Sequence, residues 1–318
     1  MKYLFFDIEC SVVSKKAAKI CAFGYCLTDE QFHILEKEDI LINPLGGFHL
    51  TDRKGTQGLV LPYQYNEFKN FPTFVEKEAK IRALLQAEDT IVAGHATVND
   101  VKYLNLETQR FSLPSFAFDF YDTQFVYMTK IKEFSRQFAL GKIVEALGVE
   151  FVAHRAVDDA FATMKVAEAL CKEANCTFFE LLQGLEITPG RIENYEITPT
   201  SSAAFIQYRQ DLERQKEERE KKKTEFYRFA DREKRKRAKD GNLKNKSVCF
   251  SHPLTLETAR AKKLLKAAFD QGAFFTSHAE QCDLYVCFEE ESGARLKSAK
   301  ENKAKIFTAQ EFEQYLGL

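Results

Sequence analysis

The chain has 318 residues, with 46 Lys and Arg set against 47 Asp and Glu, a length that accommodates two modest domains, each with its own core. No apolar run approaches the roughly 18 residues that span a bilayer, and the opening MKYLFFD lacks a signal-peptide layout, so a soluble, cytoplasmic protein with no membrane partner is expected. Eight cysteines without a C-x-x-C pair argue for buried free thiols rather than zinc sites or disulfides.

KYLFFDI reads as a short buried central strand, and alternation along it places Asp7 and Glu9 on one face. Two like charges on one face repel, so a cation is expected beside them. Runs at 2–7, 19–27 and 31–43 alternate like an antiparallel meander, most clearly in KICAFGYCL. The segment 44–70 is long for a connection and rich in Gly and aromatics. It reads as a surface hairpin or, since long loops are often functional, as a rim on which Phe48, His49 and Tyr63 border a substrate channel. A helix follows in FVEKEAKIRALLQAED, then a buried strand in TIVAGH, and Asp100 closes the stretch IVAGHATVND.

In FDFYDT, Asp119 and Asp122 read as structural, with Asp122-Thr123 opening the next helix. LGKIVEALG and residues 158–174 read as further helices. In the latter, Ala160, Phe161, Met164, Ala167, Ala169 and Leu170 fall at helical spacing, and Asp158 or Asp159 occupies the acidic first turn. Asp159 is then a helix-start ligand and Asp158 an ordinary first-turn acid. The predicted class is α/β, a mixed sheet with helices on both faces.

Charge is distributed unevenly. Residues 201–246 carry 16 Lys and Arg against 9 Asp and Glu, a net +7, whereas residues 1–200 carry a net −7. Ser201-Ser202 offer an N-cap and Gly241-Asn242 a stop, which frames a charged helix of about 40 residues. Glu217 with Lys221, Glu218 with Lys222, Asp231 with Arg235 and Glu233 with Arg237 are spaced for i,i+4 ion pairs. The helix reads either as a solvated spacer or as a strut that touches nucleic-acid backbone through Arg232, Lys234, Arg235, Lys236, Arg237 and Lys239. Phe205, Ile206, Phe226 and Phe229 are placed to dock its ends. Beyond it, NKSVCFSH, AFFTSH and CDLYVCF read as strands, TLETARAKKLLKAAFDQG as an amphipathic helix, and the remainder as helix, strand, helix.

Phe6-Asp7-Ile8-Glu9, the stretch His95 to Asp100, and His154-Arg155-Ala156-Val157-Asp158-Asp159-Ala160 resemble the three motifs of the DEDDh 3′→5′ exonucleases, the superfamily of polymerase proofreading subunits and ribonuclease T. The resemblance covers roughly residues 1 to 185. It implies a ribonuclease H-like fold in which Asp7, Glu9, Asp100 and Asp159 hold two Mg²⁺ or Mn²⁺ ions and His154 acts as the base. The implied reaction releases nucleoside 5′-monophosphates from DNA 3′ ends in replication or repair. RNA trimming by the same chemistry and a catalytically idle docking scaffold are the alternatives. Cys10-Ser11-Val12 stand where the family commonly has Thr-Thr-Gly, and Ala96 and Asn99 replace its usual Asn and Phe. Substrate preference is therefore less legible than chemistry.

The closing segment, with Gly272, Cys282 to Cys287, Ser292-Gly293 and Phe312, resembles a BRCT domain of the kind that ends bacterial NAD-dependent DNA ligases. The family's last-helix Trp is absent, and Phe312 stands in its place. Ser251, His252 and Arg295 or Lys297 align with a phosphate pocket, but loss of its glycine favours docking of DNA ends or a protein partner over phosphopeptides. The predicted domains are 1–185 exonuclease, 186–245 charged helical linker and 246–318 BRCT-like.

Overall fold

Alternate side chains of the opening segment leave a sheet on opposite sides, and both sides are covered. The computed structural model describes residues 1–47, 63, 65–148 and 155–318, so Phe48, His49 and His154 lie outside the described residues. It divides into two units, Met1–Tyr208 and Arg209–Leu318.

The first unit begins with β1 (Lys2–Val13), β2 (Ala18–Thr28) and β3 (Ile34–Leu41), an antiparallel meander as expected. There follow α1 (Phe74–Leu85), β4 (Thr90–Gly94), α2 (Val98–Arg110), β5 (Phe118–Asp122), α3 (Thr123–Ile131), α4 (Leu140–Ala146), α5 (Ala156–Ala174) and α6 (Phe178–Gly184). Short strands β6 (Ile187–Thr188), β7 (Gly190–Glu193), β8 (Glu196–Thr198) and β9 (Ser201–Ser202) precede α7 (Ala203–Glu233). The main sheet has the order β3-β2-β1-β4-β5-β7-β8. β4 runs parallel to β1 and to β5, and β7 and β8 return antiparallel.

Leu4, Phe6 and Ile8 join Phe74, Ile81 and Leu85 of α1 and Val101 and Leu104 of α2 in one core. Tyr3 and Phe5 point the other way, into a core with Val126 of α3, Ile143 of α4, Met164 and Leu170 of α5 and Phe178 of α6. Asp7 and Glu9 share the parity of Tyr3 and Phe5 and so face α5. At roughly 25 cal/mol per Å² these two apolar faces supply the main stabilisation. α6 opens with a capping box, in which Glu180 accepts from the Thr177 amide at 2.8 Å and its own amide donates back to the Thr177 hydroxyl at 3.3 Å.

Residues 187–202 differ from the expected linker. β7 and β8 extend the main sheet, and β6 pairs with β9, so this stretch is built into the first unit. The charged helix also ends early: α7 has 31 residues rather than about 40. Past it, the Ala238 amide donates to the Phe269 carbonyl at 3.0 Å and Arg237 Nη1 to the Gly272 carbonyl at 3.0 Å, tertiary bonds that replace helical ones. Ion pairs along this stretch include i,i+3 pairs such as Lys223 with Glu220 at 3.6 Å and Lys234 with Asp231 at 2.6 Å, and among the described residues none of the four anticipated i,i+4 pairs forms. Phe205 packs against Phe125 and Phe134, and Phe226 is fully buried, but Ile206 is exposed.

In the second unit β10 (Ser247–Phe250), α8 (His252–Leu256), α9 (Thr258–Asp270), β11 (Phe274–Phe275), β12 (Leu284–Cys287), α10 (Ala294–Glu301), β13 (Lys305–Thr308) and α11 (Ala309–Leu316) follow in order. The all-parallel sheet has the order β11-β10-β12-β13. Phe226, Phe250, Leu264, Leu265 and Phe312 form its main core. All eight cysteines are free thiols, six of them buried and Cys10 and Cys176 partly so. Among the described residues no helix is long and apolar enough to cross a membrane.

One buried acid in the first unit gives a direct stability prediction. Glu107 on α2 is fully buried, and burial raises its pKa to about 7 despite the Arg110 guanidinium 3.0 Å away. The unfolded chain loses this proton near pH 4.5 and the folded chain near 7, so the stability Glu107 contributes at low pH is lost as pH rises through that window. Glu107→Gln should therefore raise stability at pH 8 by on the order of 1–3 kcal/mol and change it little at pH 4. Urea melts at the two pH values check this.

Candidate active site

Asp7 and Glu9 come from β1, two residues apart and on one face, and Asp159 comes from the first turn of α5. One carboxylate oxygen from each lies within 4.8 Å of those of the other two. Asp100, in the first turn of α2, is nearly buried, and its Oδ1 accepts the Ile8 amide at 3.1 Å. All four line a single cleft of about 350 Å³, together with Val13, His95, Asn99, Tyr103 and Leu140. The four predicted carboxylates thus converge, three in mutual reach and Asp100 anchored to β1 beside them.

Electrostatics are unfavourable without a counter-charge. Burial first, and then the charges of Asp100, Glu9 and Asp159, push the Asp7 carboxyl far above its ordinary range. Burial and the neighbouring Asp159 and Asp39 raise Glu9 to about 8. Asp100 is also raised by burial, against the opposing hydrogen bond from Ile8. Carboxylate oxygens crowded in this way are the donor set of a hard divalent ion, which relieves both the repulsion and the desolvation.

Several side chains set this geometry without belonging to the cluster. Asp122 caps α3 as expected, accepting from Gln124 N at 2.9 Å, and also accepts the Ala96 amide at 2.9 Å, which ties down the turn before α2. Ala96 holds a φ of 53°, a left-handed conformation that Asn adopts more readily than Ala. Asp119 is paired with Arg191 at 2.8 Å, and Asp158 with Lys37 at 3.6 Å, both away from the cluster's role. His95 lies between the Thr123 hydroxyl and the Phe138 carbonyl, at 3.1 and 3.0 Å, and burial lowers its pKa to about 4. It is a neutral donor to Phe138 that seats the cleft wall.

Gly24 on β2 stands opposite Asp7. A Cβ there would come within 2.0 Å of the Ala156 carbonyl carbon and 2.1 Å of the Val157 nitrogen, so α5 rests backbone to backbone on β2. A glycine inside the strand pattern KICAFGYCL is the available sequence signal for such an approach. Asp39 on β3 stands opposite Gly24 in turn, and no local pattern singles it out.

The basic run is largely satisfied within the second unit. Arg232 and Lys236 pair with Glu233 at 3.1 and 2.9 Å, Lys234 pairs with Asp231, and Arg237 stacks 3.6 Å from the Phe274 ring centroid. Arg235 and Lys239 are exposed. The aligned phosphate-pocket groups are likewise engaged: the buried Ser251 hydroxyl accepts the Leu254 amide at 3.3 Å, and Arg295 Nη2 donates to the Ser277 carbonyl at 3.0 Å.

A family model described as exonuclease, of the ribonuclease T type, matches residues 4–167. Among solved structures, the chain is similar to a 3′-exonuclease described in 3′-end-specific recognition of a histone mRNA stem-loop, with 13% identity over 64% of this chain and 71% of that chain and a TM-score of 0.48. It is also similar to an exonuclease I described in terms of processivity, with 19% identity over 58% of this chain and 44% of that chain and a TM-score of 0.45. A further neighbour is E. coli exonuclease I in complex with a dA16 oligonucleotide, with 18% identity over 57% of this chain and 43% of that one and a TM-score of 0.43. The chain thus spans less than half the length of these two exonuclease I chains. No curated protein sequence matches it.

Proposed function

Since the chain belongs to the exonuclease family over residues 4–167, we propose that it is a metal-dependent 3′→5′ exonuclease that hydrolyses phosphodiester bonds at DNA 3′ ends and releases nucleoside 5′-monophosphates. The observation that carries this reading is the convergence of the Asp7, Glu9 and Asp159 oxygens within 4.8 Å of one another in an open cleft. These residues, with Asp100, would hold two Mg²⁺ or Mn²⁺ ions. When bound, such ions supply activation of water and stabilisation of the leaving oxygen.

The chain's own residues do the rest. His154, five positions before Asp159, takes the proton of the attacking water, a task suited to an imidazole of near-neutral pKa. Val13 and Leu140 offer apolar wall and Asn99 and Tyr103 polar wall to the terminal nucleotide. Asp100, held by the Ile8 amide, fixes the turn of α2 against β1. The P–O bond to the 3′ oxygen of the preceding nucleotide breaks, and that oxygen leaves with a proton.

The second unit follows the expected order of strand, helix, two strands, helix, strand and helix, with the short α8 added. That order supports the BRCT-like reading, under which the unit would dock DNA ends or a protein partner in replication or repair. Engagement of Ser251 and Arg295 in internal hydrogen bonds weighs against phosphopeptide capture. Of the strut cations, Arg235 and Lys239 are exposed and, among the described residues, hold no ion pair or ring contact that touching a phosphate would break.

The deciding assay uses end-labelled single-stranded DNA, duplex DNA and RNA, each with Mg²⁺, Mn²⁺ or EDTA. Mononucleotide release from DNA that stops in EDTA is expected, and His154→Ala should lower it by about 10²-fold or more while the circular dichroism spectrum stays unchanged. Undiminished hydrolysis in EDTA, or a wild-type rate in His154→Ala, would refute the assignment. Release from RNA alone would move the substrate to RNA, and inert wild-type protein that still binds DNA would make it a docking scaffold.

A further inference from the structure

α5 begins without a cap of its own. Its N-cap residue is Arg155, whose side chain offers no acceptor to the helix amides, although the first amides of a helix need partners from outside it. The missing acceptor comes from Tyr63: its hydroxyl oxygen accepts the Ala156 amide at 3.1 Å. The same hydroxyl donates to Asp39 Oδ2 at 3.2 Å, and Asp39 Oδ2 also accepts Arg155 Nε at 3.0 Å. The Arg155 carbonyl in turn accepts the Asp159 amide at 2.9 Å. Asp39 stands two strands from Asp7 in one row, Asp7 opposite Gly24 and Gly24 opposite Asp39, so the start of α5 lies over the row between the two acids.

We propose that Asp39, Tyr63 and Arg155 form a clamp that sets where Asp159 stands relative to Asp7 and Glu9, and so acts as a set of positioning residues for the metal centre. The inference rests on the metal-dependent reading above. The clamp gathers segments distant in sequence: β3 supplies the acid, the connection before α1 the hydroxyl, and the residue before α5 the guanidinium. Tyr63 is itself braced by an edge contact of its ring with Phe68, at 5.6 Å between centroids, so removing its hydroxyl leaves its packing in place. Partners bonded directly to metal ligands typically change metal affinity by about 10- to 100-fold when lost, and a clamp that acts through the backbone at the start of α5 belongs at the lower end of that range.

The test measures Mn²⁺ binding by calorimetry on the full chain, beside its metal-free melting curve, for wild type, Tyr63→Phe, Asp39→Asn and the double variant. Tyr63→Phe and Asp39→Asn should each weaken Mn²⁺ binding about tenfold. Because they share one relay, the double variant should lose less than the product of the two. Saturating Mn²⁺ should restore most of kcat in each. Should Asp39→Asn fail to fold, Tyr63→Phe decides alone. Wild-type affinity in a folded Tyr63→Phe protein, or losses that multiply fully, would overturn the clamp and leave the enzyme assignment standing. Absence of Mn²⁺ binding in the wild type would instead remove the metal reading, and the clamp with it.

Discussion

Asp7→Asn should abolish hydrolysis and, in the same protein, raise the melting temperature of the metal-free form. The two signs follow from one fact. Asp7 is ionised in water but is raised far above its ordinary pKa here, by burial and then by Asp100, Glu9 and Asp159. A folded-state pKa above the unfolded value means that stability present at low pH is lost as pH rises. Asn keeps the shape and removes the charge, so the metal-free fold should gain roughly 2–5 °C at pH 8 and much less near pH 4. The ligand is gone, however, and the rate should fall by on the order of 10³-fold or more. Differential scanning fluorimetry with and without Mn²⁺, beside the nuclease assay, reads both effects. Added Mn²⁺ should raise the wild-type melting temperature past that of the variant, since binding stabilises only the folded state. A variant less stable than wild type in EDTA would mean that Asp7 is a structural residue.

The second large effect is expected from Gly24→Ala, a single methyl group on a strand with no cleft-lining side chain. Contacts of 2.0 and 2.1 Å with the backbone of Ala156 and Val157 leave no side chain to swing aside. Either β2 or the first turn of α5 must move, and overpacking of this severity costs about 3 kcal/mol or more. Displacing α5 also carries Asp159 away from Asp7 and Glu9. A loss of about 6 °C or more in melting temperature, with weakened Mn²⁺ binding in whatever folds, is the expected outcome. Gly141, where an added Cβ meets nothing within 4 Å, is the control position for the same substitution.

What the sequence disclosed was what is encoded locally. Asp7 and Glu9 on one face follow from a period of two within a single strand, and Asp159 in a first turn follows from the apolar spacing of α5. Asp122 as a cap is likewise a matter of adjacent residues. The Asp39, Gly24 and Asp7 row was not legible, because strand register is fixed by pairing between distant segments and not by either segment alone. β6, β7, β8 and β9, of two to four residues each, fall below the length at which alternation can be recognised. The charged run read as continuous helix up to Gly241 because its i,i+4 spacing persists. Its early end is imposed by bonds to Phe269 and Gly272, far away in sequence.

β1 changes register against β2 on either side of Cys10, immediately after its second carboxylate. Up to Glu9 the strand is locked to one parity, since a slip of a single position would turn both acids into the opposite core. Past the irregularity the pairing resumes in a shifted register, with Val12 opposite Lys19 and Val13 opposite Ala18, so Cys10 and Val13 border the cleft from backbone whose parity is set separately from that of the acids. Such a place tolerates trial: replacements, or even an added residue, can reshape the rim while the acids stay where they are. Cys10-Ser11-Val12, where this chain writes its own version, coincide with the stretch in which variation costs the chemistry least.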